Sequence, residues 1–321
     1  MQRSSETGSD RGFAAEFFVP PSSPINVDFG AASHIGLARS SNEDHFAVFR
    51  RIRAHEVVLT NLAQDDIVVA SDEDEIFGHI LTTYLLVVAD GMGGAAAGET
   101  ASRVAIQRAF DLTDQASSWV MRLRSLAAQQ IQERIDAYVA EIHRTLRAMG
   151  EADSNLAGMR TTWTSSYIVG WDAVIVQIGD SRAYLSRRGD LRQITRDQTL
   201  AQVLIDSGVS PEETRHAKKI LMNALGGRTV SVVPDIVHLA LEHADRLLLC
   251  SDGLTRHVSD PEIAEVLGSK LLPQVACDTL VKIALDRGGK DNVTVVLADA
   301  SRSVFDRKGK IQCPEMKGRP R

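Results

Sequence analysis

The chain has 321 residues, 44% of them hydrophobic and 24% charged, the balance of a globular protein able to bury a sizeable core in one large domain or two small ones. Its three cysteines, Cys250, Cys277 and Cys313, form no CxxC pair, so neither a disulfide framework nor a zinc knuckle is indicated, and Cys250 and Cys277 are expected to be core residues. The net charge of −6 divides into +4 over residues 303–321, −1 over residues 1–24 and −9 between them; so acidic a body is a poor partner for nucleic acid.

Residues 1–24, rich in Ser, Gly and Pro and closing on PPSSP, predict a flexible lead-in. No apolar run approaches the roughly eighteen residues of a membrane span, and no basic-then-apolar leader opens the chain, so the expected address is the cytoplasm. One domain is expected over 25–302. Within it Asn42-Glu43-Asp44 opens the segment HFAVF. Residues 51–83 mix their signals around Asp65, Asp66, Asp72, Glu73, Asp74 and Glu75; that spacing matches no calcium loop, so a solvated hairpin or loop insertion is expected there.

Strand patterns follow at 84–89 (YLLVVA), 164–170, 173–179, 182–187, 191–195, 246–250 and 292–298, several joined by tight turns. Helical periodicity comes in blocks between them. One block covers 98–110; a second places Ile131, Ile135, Tyr138, Val139, Ile142 and Leu146 on one face, with Gly150 as its stop. A third begins at Ser259-Asp260-Pro261, and a fourth carries Val275, Ala276, Leu280, Ile283 and Ala284. Hairpin-linked strands with segregated helices predict an α+β layered domain, not a doubly wound sheet. From Ser303 a basic, flexible tail is expected.

The stretch VVADGMGGAAAGE (87–99) runs an apolar strand into Asp90 and then into glycines. A carboxylate there is costly to desolvate without a positive partner, and the glycines admit a close backbone approach to a metal ion or a phosphate. Asp252 closes RLLLCS, Asp291 opens NVTVVLA, Asp180 follows AVIVQIG, and Glu43 and Asp44 stand before HFAVF. A single such Asp is ordinarily a turn former. Gathered at one sheet edge, several would repel or take up protons unless divalent cations joined them, and oxygen-only ligands select Mg²⁺ or Mn²⁺.

The segments RSSNED (39–44), VADGMGG (88–94), GMRTT (158–162), IGDSRAY (178–184), CSDGL (250–254) and GKDNVT (289–294) resemble, in order, the motifs of the metal-dependent Ser/Thr protein phosphatases, or protein phosphatase type 2C. The resemblance spans roughly residues 30–300. It implies a four-layer αββα sandwich of two antiparallel β-sheets flanked by helices, with a binuclear Mn²⁺ or Mg²⁺ centre in the cleft between the sheets and hydrolysis of phosphoserine and phosphothreonine. Asp90 would bridge both ions and the Gly91 carbonyl would bind one. Asp252 and Asp291 would hold the other. Glu43 and Asp44 would hold metal-bound waters, and Arg39 would grip the substrate phosphate. Asp180 matches the residue that helps hold a third, weaker ion in bacterial members.

Thr161 and Thr162 are expected to be structural, and residues 199–235 to form a flap beside the cleft in which His216 is solvated. The sequence departs from the family at Met92, where animal members carry a histidine general acid, at Gln198, where many carry a histidine, and at Arg160, which replaces a common glycine. The chain therefore looks bacterial-type, and its leaving group would take a proton from another source, such as a metal-bound water. Expected partners are phosphorylated proteins, including a Ser/Thr protein kinase or its substrates, with no nucleic acid or membrane, and the chain is expected to be a monomer. The competing expectation is a catalytically silent relative that binds phosphoproteins.

Overall fold

The computed structural model describes residues 25–51, 55–61, 82–115 and 128–302. The expected lead-in 1–24, the acidic cluster 65–75, Cys313 and the tail 303–321 lie outside the described residues. The strands are β1 (Ile25–His34), β2 (Asp44–Arg51), β3 (His55–Thr60), β4 (Thr83–Met92), β5 (Arg160–Thr161), β6 (Trp163–Val169) and β7 (Asp172–Ile178). They continue with β8 (Arg182–Arg187), β9 (Asp190–Gln193), β10 (Leu225–Gly226), β11 (Asp235–Ala240), β12 (Arg246–Cys250) and β13 (Val293–Arg302). The helices are α1 (Ala95–Gln115), α2 (Ala128–Ala152), α3 (Leu200–Asp206), α4 (Asp252–Thr255), α5 (Asp260–Gly268) and α6 (Pro273–Asp286).

The strands form two sheets. One runs β1-β13-β12-β8-β9; the other runs β10-β5-β4-β6-β7-β11, with β2 pairing both β4 and β3. Every pairing is antiparallel. The layering follows from alternation along continuous apolar runs, because successive side chains point to opposite faces. In β4, Tyr84, Leu86 and Val88 join the core between the sheets, while Val87 and Ala89 join the core beneath α1 and α2. In β13, Val296, Ala298 and Ala300 face the other sheet, while Val293, Val295 and Leu297 face α5 and α6. Each fully buried aliphatic side chain contributes roughly 1.5–3 kcal/mol. The result is the expected αββα sandwich.

Local chemistry sets the element ends, and two expectations need correction. At α5 the reading holds: Glu262 accepts from the Ser259 N–H at 3.0 Å in a capping box. Gly150 does not stop α2, which runs on to Ala152. A Cβ at Gly150 would lie 3.0 Å from the Leu156 carbonyl, so this glycine serves the close return of the chain after the helix. Nor does β4 end at Asp90: Gly91 and Met92 pair with Thr161 and Arg160 of β5. The expected hairpin after residue 51 is present in part, with β3 pairing against β2.

Candidate active site

The register of β2 against β4 sets Asp44 directly opposite Asp90. Both continue the parity of side chains that point between the sheets, Phe46 and Val48 on one strand and Leu86 and Val88 on the other. Asp44 is 1% exposed. Its Oδ2 accepts a hydrogen bond from Ser251 Oγ at 2.7 Å, and its Oδ1 is buried with no hydrogen-bond partner. The backbone of Asp90 is clamped from the neighbouring strand: its N–H donates to Thr162 Oγ1 at 3.0 Å, and its carbonyl accepts from the Thr162 N–H and Thr161 Oγ1, each at 2.9 Å. Thr161 and Thr162 are thus structural, as expected.

Above this pair opens a cleft of about 260 Å³ whose lining includes Arg39, Glu43, Asp90, Asp180, Asp252 and Asp291. Each acid arrives where a strand of one sheet or the other begins, continues or ends. Asp252 is the first residue of α4 after β12, Asp291 precedes β13, and Asp180 follows β7 across Gly179, whose φ is +104°. Of the expected metal- and phosphate-binding residues only Asp44 stays out of the lining, buried on β2 opposite Asp90. Met92 lines the cleft.

The glycines have a packing reason. A Cβ on Gly91 would fall 2.1 Å from the Gly98 carbonyl oxygen, and one on Gly98 would fall 1.8 Å from Glu43 Oε2. Gly91, Gly98 and Glu43 therefore stack with no space for a side chain between them. The Gly91 N–H donates to the Glu43 carbonyl at 3.1 Å, and Ser102 Oγ of α1 donates to the same carbonyl at 2.6 Å. Gly93 and Gly94, with φ of +129° and +95°, turn the strand into α1 through conformations open to glycine. Within the chain, the close backbone approach expected of these glycines is that of Gly91 to Gly98 and Glu43.

The electrostatics are those of a site that wants cations. Burial first, then Asp44, Asp252, Asp180 and Asp291, hold the Asp90 carboxyl well above the usual carboxylate range. Burial lifts Asp44 to about 7 against the hydrogen bonds of Ser251 and Thr294. Burial and then Asp252 and Asp197 lift Asp180 to about 7, and burial lifts Asp252 to about 6 although Arg256 opposes it. Glu43 is raised by burial, against the pull of Arg39. Carboxylates crowded in this way either bind protons or bind metal.

Three side chains of the site escaped the sequence reading. Arg256 is bonded to both Asp252 and Asp291, and Arg39 reaches Asp291 Oδ1 at 2.7 Å. Among the described residues no three acidic, His or Cys side chains close around a ready-made ion site; the Arg256 guanidinium bridges Asp252 and Asp291 instead. Asn292 pins the loop that carries Arg39 and Glu43: its Oδ1 accepts from the Glu43 N–H at 2.8 Å, and its Nδ2 donates to the Ile35 and Ser41 carbonyls at 2.8 and 2.9 Å. Its place beside Asp291 in GKDNVT was the available signal. Ser251, bound to Asp44, stands likewise in CSDGL.

Gln198 has its own employment. Its Oε1 accepts from the Gly179 N–H at 2.8 Å and from Asn223 Nδ2 at 2.9 Å, and its Nε2 donates to Asp235 at 2.8 Å. The expected flap holds α3, a short 3₁₀ turn at Arg215–Ala217 and the β10 strand. His216 and Arg160 are exposed.

Two antiparallel sheets that bring carboxylates to one cleft present the oxygen-only donor chemistry that suits hard cations. The family model for protein phosphatase 2C matches residues 63–283, and the chain belongs to this family. It is 39% identical over 250 residues to the serine/threonine protein phosphatase PstP of Mycobacterium tuberculosis, covering 76% of this chain but spanning only 45% of that relative's length. It is 34% identical over 231 residues to the serine/threonine phosphatase stp of Listeria monocytogenes, covering 71% of this chain and 89% of that one. Among solved structures, the catalytic domain of PstP in complex with two manganese ions superposes with a TM-score of 0.63 at 34% identity, over 86% of this chain and 99% of that domain. Among the described residues no helix is long and apolar enough to cross a membrane.

Proposed function

We propose that the chain hydrolyses phosphoserine and phosphothreonine in proteins, at a centre of two Mn²⁺ or Mg²⁺ ions. The observation that carries this is the single cleft lined by Arg39, Glu43, Asp90, Asp180, Asp252 and Asp291. The residues fit such ions: the donors are all oxygen, the Asp44 Oδ1 beneath them has no partner, and the carboxyls of Asp90, Asp180 and Asp252 are held above their ordinary range by burial and then by neighbouring acids. Asp90, the Gly91 carbonyl, Asp252 and Asp291 would hold the two ions, Glu43 and Asp44 would support them from the side and from below, and Asp180 would help hold a third, weaker one. Bound there, divalent cations supply the acidity that makes water a nucleophile at neutral pH.

The remaining work falls to the chain. Arg39 presents a planar fork suited to a phosphate, and leaving Asp291 for the substrate costs little because the Arg39 side chain is 49% exposed. Asn292 fixes the height of the loop from which Arg39 and Glu43 project. The expected partners are phosphoproteins, a Ser/Thr protein kinase or its substrates among them.

A second reading has one observation in its favour: Arg256 already neutralises Asp252 and Asp291, as a silent, phosphoprotein-binding member of the family would allow. Release of nitrophenol from p-nitrophenyl phosphate decides between them. Turnover that EDTA abolishes and Mn²⁺ restores, and that Asp252→Asn loses while staying folded, supports the phosphatase. Full turnover in EDTA overturns the metal centre, and no turnover at any Mn²⁺ concentration leaves the silent reading.

A further inference from the structure

Beside the carboxylate cleft lies a second recess, of about 500 Å³, which shares with it a wall made of Arg39, Lys219, Arg256 and Asp291. Beyond that wall its charged lining is Arg287 and Lys290. Five cations thus face one carboxylate, in a body whose charge is −9 between residues 25 and 302. Three of the five are committed. Arg39 and Arg256 hold Asp291, and Arg287 donates to Glu262 at 2.7 Å and to the His257 carbonyl at 2.8 Å. Lys219 and Lys290 are exposed and have no ion-pair partner among the described residues.

Lys219 comes from the segment between α3 and β10, and Lys290 from the turn before β13, so two distant parts of the chain bring uncommitted ammonium groups to one hollow. No Phe, Tyr or Trp lines it, and a nucleic-acid base would find no stacking surface. A phosphate carries a charge of about −1.5 to −2 at neutral pH and gains more than a carboxylate from two lysines. We propose that the recess is a second anion subsite, which seats another phosphorylated residue of the same substrate chain while the scissile phosphate lies over the carboxylates. The preferred substrate is then a doubly phosphorylated segment. This rests on the phosphatase reading, because the cleft it adjoins is the one assigned to the reacting phosphate.

The test uses the full chain and two labelled phosphothreonine peptides, identical except for a second phosphothreonine two residues from the first. Fluorescence anisotropy reads binding, and initial rates with Mn²⁺ read kcat/KM, each relative to turnover of p-nitrophenyl phosphate by the same protein. The doubly phosphorylated peptide should be favoured by roughly 5- to 10-fold, the effect of two partly exposed ion pairs, and the preference should fade as salt rises. Lys219→Gln with Lys290→Gln should reduce it to within about 2-fold, and Lys290→Glu should do so alone. Equal binding and equal kcat/KM for the two peptides, or a preference that survives the double variant, would overturn the subsite. Absence of all turnover, nitrophenyl phosphate included, would instead fail the phosphatase reading, and the anisotropy ratio would still decide the subsite.

Discussion

Asp44 and Asp90 face one another across the β2–β4 ladder, two carboxyls at one register position on a buried sheet face. Like charges placed directly opposite destabilise a sheet, and here burial adds to the repulsion. Asp44→Asn removes one charge and should raise the melting temperature of the chelated protein by about 2–4 °C, corresponding to about 1 kcal/mol. The same variant should lose about 10- to 100-fold in turnover, the usual effect of disturbing a group that supports a metal ligand. Differential scanning fluorimetry in EDTA and nitrophenyl phosphate turnover in Mn²⁺ check the two halves separately.

The pH response follows from the same crowding. Asp44 and Asp180 stand at about 7 and Asp252 at about 6, against roughly 4 for an aspartate in an unfolded chain. Between about pH 4 and 7 the folded protein therefore binds more protons than the unfolded one, so its stability falls as pH rises through that window. The chelated protein should melt higher at pH 5.5 than at pH 8. Mn²⁺ should reverse that order, and its binding at pH 6 should release protons, measurable by calorimetry in buffers of different ionisation enthalpy.

Arg256 competes with cations for Asp252 and Asp291. Arg256→Gln should tighten Mn²⁺ binding by about 5- to 10-fold, since each exposed guanidinium–carboxylate contact is worth up to about 1 kcal/mol. Weaker binding by the variant in titration calorimetry would show that the guanidinium supports the ion site.

Asn292→Ala leaves the Glu43 N–H and the Ile35 and Ser41 carbonyls without their partner. The expected cost is about 2–3 kcal/mol, for three hydrogen bonds of about 1 kcal/mol each. Because Arg39 and Glu43 ride on the freed loop, KM for a phosphopeptide should rise more than kcat falls. Denaturant titration and steady-state kinetics report the two effects.

Gly91→Ala drives a methyl group to 2.1 Å from the Gly98 carbonyl, backbone against backbone. About 2–3 kcal/mol of destabilisation is expected, as for overpacking elsewhere in a tight core. A melting temperature equal to that of the parent protein would mean that α1 slides away from β4 without cost.

Much of this was legible because both faces of the central strands are buried: YLLVVA, and NVTVVLA apart from Asn292 and Thr294, are apolar, and such runs between turn signals read as strands. The acids that line the cleft were legible by their position against those runs. The extension of β4 through Gly91 was not, since it depends on a two-residue strand, β5, about 70 residues later. Gly150 carries the same letter whether it ends a helix or admits a neighbouring carbonyl. Asn292 acts on residues some 250 positions away, a distance over which local pattern says nothing. Arg256 stands in no apolar run or motif, and only the turn of α4 brings it back to Asp252.

Gln198 ties together three segments that the chain visits far apart: the Gly179 turn that carries Asp180, Asn223 before β10, and Asp235 at the head of β11. Its backbone continues the knot, donating to the Gly179 carbonyl and accepting from the Met222 N–H, each at 2.9 Å. One amide side chain thus acts as a rivet through two plates. A displacement of the 199–235 segment would therefore pull, through this one side chain, on the turn that carries Asp180.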